Sequence, residues 1–174
     1  LDTALITDAV SGDIAAQAFE GLYTLNKEDK AEPAIATSFP KKSNGGKTLT
    51  INLRKNAKWS NGDSVTAYDF VYAWRKVVNP KTASEFAYIM SDIKNADEVN
   101  AGKKSVKDLG IKAIGKYQLQ VDLERPVPYI NELLALNTFN PQKQKVPKRY
   151  REQYGTTAEK AVYNTPIKVT KRKV

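Results

Sequence analysis

Residues 55–80 read KNAKWSNGDSVTAYDFVYAWRKVVNP, and this stretch constrains the fold more than any other. It follows Lys47–Arg54, where Leu49, Ile51 and Leu53 alternate with Thr48, Thr50 and Asn52. Such a period of two predicts a half-buried strand. Ser60-Asn61-Gly62-Asp63 is turn chemistry, because Asn-Gly readily takes positive φ. Thr66 then stands three residues before Asp69, the spacing of a reciprocal helix cap. Phe70, Trp74, Val77 and Val78 recur at helical intervals, and Pro80 stops the run. The unit is strand, tight turn and capped helix, so the chain mixes α and β structure. Trp59 is expected to pack under the turn and Trp74 on the buried stripe. Aromatics at this spacing read as core rather than as a ligand platform.

Weaker signals surround this unit. Ser11-Gly12-Asp13 resembles a helix start, and Ile14, Ala15, Ala18, Phe19 and Leu22 carry the helical period to Gly21. The charged stretch Asn26–Pro33 reads as a linker. Pro40–Lys47, with Asn44-Gly45-Gly46, predicts a hairpin leading into the strand. Thr82–Met90 reads as weakly helical, and Asp92–Gly102 as polar and helical in part. Ile111–Ile114, Gly115-Lys116 and Tyr117–Leu123 predict a second hairpin. A short helix is expected at Tyr129–Leu136 with Ile130, Leu133 and Leu134 inward. Asn137–Asn140 reads as extended, Val146–Tyr154 as a basic helix and Thr157–Tyr163 as one more helical turn. A strand is expected from Ile167 and Val169.

The 174 residues suffice for one domain or two small subdomains, and no apolar run is long enough to span a bilayer as a helix. The start Leu1-Asp2-Thr3 has no signal-peptide pattern, which suits a cytosolic chain or a mature exported one. With no Cys and no His, there is no disulfide, thiolate nucleophile, Cys/His zinc site or imidazole base. Oxygen-ligand metals and carboxylate or Ser-Lys catalysis stay open, but no motif supports an enzyme, a metal site or a cofactor. There is no phosphate-binding loop and no dinucleotide fingerprint. Gly45-Gly46-Lys47-Thr48 precedes a strand, so it reads as a hairpin. The net charge of +9 is concentrated: ten of the 28 basic residues and only two of the 19 acids lie after residue 140. That end reads either as a solvated cationic face or as a surface for acidic polymers.

Lys55-x-x-x-Trp59-Ser60-Asn61-Gly62-Asp63-x-Val65-Thr66-Ala67-x-Asp69-Phe70 resembles the signature of the extracellular oligopeptide-binding proteins of ABC importers, solute-binding family 5. Phe19-Glu20-Gly21-Leu22, Glu32-Pro33-Ala34-Ile35-Ala36, Tyr72-x-Trp74-Arg75 and Asn79-Pro80-x-Thr82-Ala83-Ser84 extend the resemblance in order. So do Pro126-Val127-Pro128-Tyr129 and Tyr154-Gly155-Thr156-Thr157-Ala158-Glu159-Lys160. The detailed flavour is that of Gram-positive receptors. Two departures stand near the end: Asn164-Thr165-Pro166, followed by Ile167, replaces the family's Asn-Gly-Pro and aromatic, and Lys171-Arg172-Lys173 replaces its tryptophan.

The resemblance implies a mixed α/β fold, the first lobe of a type II periplasmic-binding-protein-like architecture with the family's extra subdomain. Residues 1–23 would belong to the first-lobe core, 24–143 to the inserted subdomain and 144–174 to the return toward the core. The second lobe has no counterpart, so the chain reads as truncated. The conserved-looking Trp-Ser-Asn-Gly block would then be architecture, without touching peptide. Implied peptide-binding residues are Val10, Ser11, Gly12 and Asp13, which would pair with the peptide backbone, together with Tyr88 and Phe139. Ser11 reads equally as a helix cap, and Tyr88 and Phe139 equally as core.

Implied partners are oligopeptides and a membrane ABC permease, with no nucleic acid, no cofactor and no catalysis. The implied location is the outer cell surface, as an anchored lipoprotein in full-length form. Association through an exposed lobe face is a further expectation. The alternative function is a cationic cell-surface or adhesion protein that binds anionic wall polymers through its basic end.

Overall fold

The computed structural model describes residues 19–143 and Asn164. Its centre is a four-stranded antiparallel sheet in the order β3 (Lys41–Ser43), β4 (Thr48–Asn52), β6 (Gln118–Asp122), β5 (Ile111–Ala113). A separate two-stranded ribbon pairs β1 (Tyr23–Leu25) with β2 (Ala31–Pro33).

The register explains the alternation. Leu49 faces Val121, Ile51 faces Leu119, and Ile111 faces Val121 from the other side. All five are buried, whereas Thr48, Thr50, Gln118 and Gln120 on the opposite face keep partial exposure. Burial of one face sets the pairing, because a slip of one residue would send every apolar side chain to solvent. The outer strand β3 presents Lys41 and Lys42 fully exposed, which blunts that edge against further pairing.

The helix α1 (Ala67–Val78) packs against β5 and is the main cover of the apolar face. Phe70, Trp74, Val77 and Val78 are buried along one stripe, as their spacing predicts. Its start is fixed twice. A capping box joins Thr66 and Asp69, with the Asp69 Oδ2 accepting from the Thr66 amide at 3.0 Å. The same oxygen accepts from the Trp59 indole at 3.0 Å, and both Trp59 and Asp69 are buried. The turn ahead of the helix closes with Gly62 at φ 89, a conformation that suits glycine. The Ala67 amide also donates to the Lys116 carbonyl in the β5–β6 turn. The helix stops at Asn79, ahead of Pro80.

Three expectations change. The charged stretch after Leu25 is a hairpin loop rather than a linker. The Asn26 Oδ1 accepts from the amides of Glu28 and Lys30, and Asp29 sits at φ 57. A side-chain turn of this kind leaves no apolar trace. Thr82–Met90 forms no α-helix but two 3₁₀ turns, Pro80–Thr82 and Ala87–Met90, divided by Ala83 at φ 51. Asn137–Phe139 is a 3₁₀ turn, not extended chain, closed by the amides of Phe139 and Asn140 donating to the carbonyls of Leu136 and Asn137. The remaining helices are short: α2 (Ala96–Asn100) and α3 (Ile130–Leu133), the latter with Ile130 and Leu134 buried and Leu133 only in part. The helices expected at 11–21, 146–154 and 157–163, and the strand from Ile167, lie outside the described residues.

Asn164 is buried and reaches far back along the chain. Its Oδ1 accepts from the Glu20 amide at 2.7 Å, and its Nδ2 donates to the Glu20 carbonyl at 2.8 Å. This reciprocal pair mimics a strand bridge between positions 144 apart.

Candidate functional site

The turn Ala87–Met90 presents the most exposed large aromatic among the described residues. Ala87 and Met90 point into the core and anchor the turn, which leaves Tyr88 outward with 67% of its surface exposed. The Ser91 amide and hydroxyl both donate to the Tyr88 carbonyl, so the backbone under the ring is held. Phe86 leans on Tyr88 with ring centroids 6.4 Å apart. Fixed backbone with a displayed ring is how a protein offers an aromatic contact at low entropic cost.

The turn Asn137–Phe139 packs beside it. Here the two predicted aromatics separate in role. Phe139 has no exposed surface, meets Trp74 edge-on with centroids 5.1 Å apart, and takes the Trp74 indole proton on its carbonyl at 2.9 Å. Leu136, one turn earlier, is 38% exposed. The described part of this region thus displays Tyr88 and Leu136 and tucks Phe139 beneath them. Val10, Ser11, Gly12 and Asp13 lie outside the described residues, so the structure does not bring them together with Tyr88.

Tyr129, also well exposed, sits at the start of α3, which packs against β1. Its hydroxyl lies 3.5 Å from Asp92 Oδ2, and the other Asp92 oxygen pairs with Arg125 at 3.0 Å. Charge elsewhere is placed for structure. Glu20 pairs with Arg54 at 2.6 Å, yet burial pushes the Glu20 carboxyl above its usual range, with Arg54 pulling the other way. The ion pair and the raised pKa describe one balance: desolvation outweighs the attraction. Burial likewise raises Tyr23, whose hydroxyl donates to the Ser38 carbonyl and whose ring stacks on Phe39.

Among the described residues no group of three or more His, Cys, Asp or Glu could hold a metal ion, and no helix is long and apolar enough to cross a membrane. Of the basic end, only Lys143 is described; it pairs with Asp63 of the Asn-Gly turn.

Missed by the sequence reading is a groove on the outer side of α1. Its signal was present in Tyr68, Tyr72, Arg75 and Lys76, which share one helical face and were passed over in favour of the buried stripe.

Comparison with known proteins places the geometry in context. Residues 30–174 match the sequence profile of the bacterial extracellular solute-binding proteins, family 5 middle region. A dipeptide-binding protein of Lactococcus lactis subsp. cremoris is 44% identical over 96% of this chain, which spans 30% of that protein. The substrate-binding domain of an oligopeptide ABC transporter from Bacillus anthracis superposes with a TM-score of 0.93 at 47% identity, covering 97% of this chain and 32% of that one. The peptide-bound OppA of Listeria monocytogenes superposes with a TM-score of 0.92 at 41% identity, covering 96% and 33%. The chain therefore spans about a third of the length of these relatives. With its mixed α/β architecture, this chain belongs to the family 5 extracellular solute-binding proteins.

Proposed function

We propose that this chain is the part of an oligopeptide receptor that offers one wall of the peptide cleft, serving uptake by an ABC permease outside the cytoplasmic membrane. The observation that carries the reading is the likeness, over nearly the whole chain, to the peptide-bound Listeria receptor. The Lactococcus relative is likewise a peptide-binding protein. These are solute-binding proteins rather than enzymes.

In this reading peptide binds by backbone pairing along Val10–Asp13, and Tyr88 contacts it from the Ala87–Met90 turn. The exposure of Tyr88 on a held backbone supports the second part. Main-chain pairing gives affinity for any sequence, and a displayed aromatic adds apolar contact without strict selection. Phe139 acts from beneath, as the support of the neighbouring turn. Residues 24–143 form the inserted subdomain, flanked by first-lobe segments 1–23 and 144–174. The Asn164 clasp on Glu20 supports this division, since it joins one flank to the other. No relative named here is described as binding acidic polymers, so the polymer-binding alternative gains no support.

Calorimetric titration of the 174-residue polypeptide with unrelated tetrapeptides tests the reading. Capture in this class of fold is completed by closure around the ligand, which excludes water. The polypeptide alone is therefore expected to bind weakly, with similar constants for different sequences. Micromolar or tighter binding by a monomer contradicts the weak-wall reading, and strict preference for one sequence contradicts main-chain recognition.

A further inference from the structure

We propose that the groove on the outer side of α1 is a ligand site for a small organic carboxylate with an apolar or aromatic body. The groove measures about 400 Å³ and is lined by Tyr68, Val71, Tyr72, Arg75, Lys76 and Val106, with Asn79 at its end. That volume lies within the range of small-molecule sites. Tyr88 is not among the lining residues, so the site is separate from the proposed peptide wall and does not depend on it.

Arg75 carries the argument. Its Nε is buried and has no hydrogen-bond partner. A buried donor left unpaired costs free energy that native proteins rarely accept without a role. No carboxylate of the described residues forms an ion pair with Arg75, and no acid lines the groove. The next residue, Lys76, brings a second cation, whose ammonium reaches Gln142 Oε1 at 3.2 Å. The lining is thus cationic and aromatic, without a counter-charge of its own.

The pattern follows from helix geometry. Tyr68, Tyr72, Arg75, Lys76 and Asn79 fall at i, i+4, i+7, i+8 and i+11, which places them on one face opposite the Phe70–Trp74 stripe. Val106 closes the groove from the neighbouring 3₁₀ turn, Val106–Asp108. A guanidinium presents a planar fork that matches a carboxylate with two parallel hydrogen bonds. The tyrosine rings and the two valines supply apolar walls for the body of the ligand. Charge complementarity thus selects a carboxylate over a neutral or cationic group.

The test is a ¹⁵N-resolved NMR titration of the whole chain with N-acetyl-phenylalanine and, in parallel, with its neutral amide. The expected result is a saturable shift of the Tyr68, Tyr72 and Arg75 amides with the acid, and binding about tenfold weaker with the amide. Arg75→Lys should keep part of the affinity, and Arg75→Gln should lose as much as the neutral amide does. No saturable shift at these amides up to the solubility limit would overturn the proposal. Equal binding of acid and amide would overturn it too, and that comparison needs no variant. The Tyr88 amide should stay still throughout, so failure here is distinguishable from failure of the peptide reading.

Discussion

Asp69 shows how much one side chain can hold together. Its Oδ2 receives both the Thr66 amide and the Trp59 indole in a buried setting. Asp69→Ala should remove the cap and leave a buried indole proton unpaired, at about 2–4 kcal/mol of stability by urea unfolding. Trp59→Phe, which keeps a ring under the turn, should cost less. A loss below about 0.5 kcal/mol for Asp69→Ala would contradict this account of the junction. Gly110 is a second such position. A Cβ there would lie 2.6 Å from the Asp122 carbonyl oxygen and 2.8 Å from Lys94 Cβ. Gly110→Ala must shift backbone, and about 1–3 kcal/mol of destabilisation is expected in the same assay.

Glu20 gives the pH-dependent case. Its folded pKa is raised, with burial the larger cause and Arg54 opposing. The folded state therefore takes up this proton before the unfolded chain does as pH falls. Ionised Glu20 weakens the fold at neutral pH, and acidification through the carboxylate range, just above the ordinary value of 4.5, relieves that penalty. Glu20→Gln should be at least as stable as the parent at pH 7, with its advantage shrinking as pH drops. Thermal melts across that range check the sign; a growing advantage at low pH would reverse it.

At the scale of elements, the capped helix and the two hairpins of the large sheet were legible because each carries two agreeing signals. The helix has its cap and its stripe; the strands have their alternation and their Asn-Gly-Gly or Gly-Lys turns. The β1–β2 ribbon was not legible, since its loop is held by Asn26 and three-residue strands give too little alternation to see. The 3₁₀ turns at 87–90 and 137–139 were also misread. Their geometry is set by burial of Met90 and Phe139 against distant elements, which no local pattern records. The candidate site inherits this limit, because sequence named Tyr88 and Phe139 alike. Only packing shows that one ring is displayed and the other carries Trp74. Tyr88→Ala and Phe139→Ala should therefore divide. The first should leave unfolding unchanged within about 0.5 kcal/mol while weakening peptide binding roughly tenfold. The second should cost about 3–5 kcal/mol of stability. Equal destabilisation by both would place Tyr88 in the core after all.

For the whole molecule, the described residues give a sheet covered by one dominant helix, with displayed side chains gathered on the 87–90 and 137–139 turns. The Asn164 clasp brings a distant part of the chain back to Glu20, beside the ribbon. The family, the fold and the relatives agree on solute binding, and peptide is the solute that the proposed reading assigns. The most direct test is an amide-resolved NMR titration of this chain with two tetrapeptides of unrelated sequence. The account predicts saturable shifts at Tyr88, at residues 136–139 and at residues 9–13, with similar weak affinities for both peptides. Shifts confined to other surfaces, or none at millimolar peptide, would contradict peptide capture by this wall.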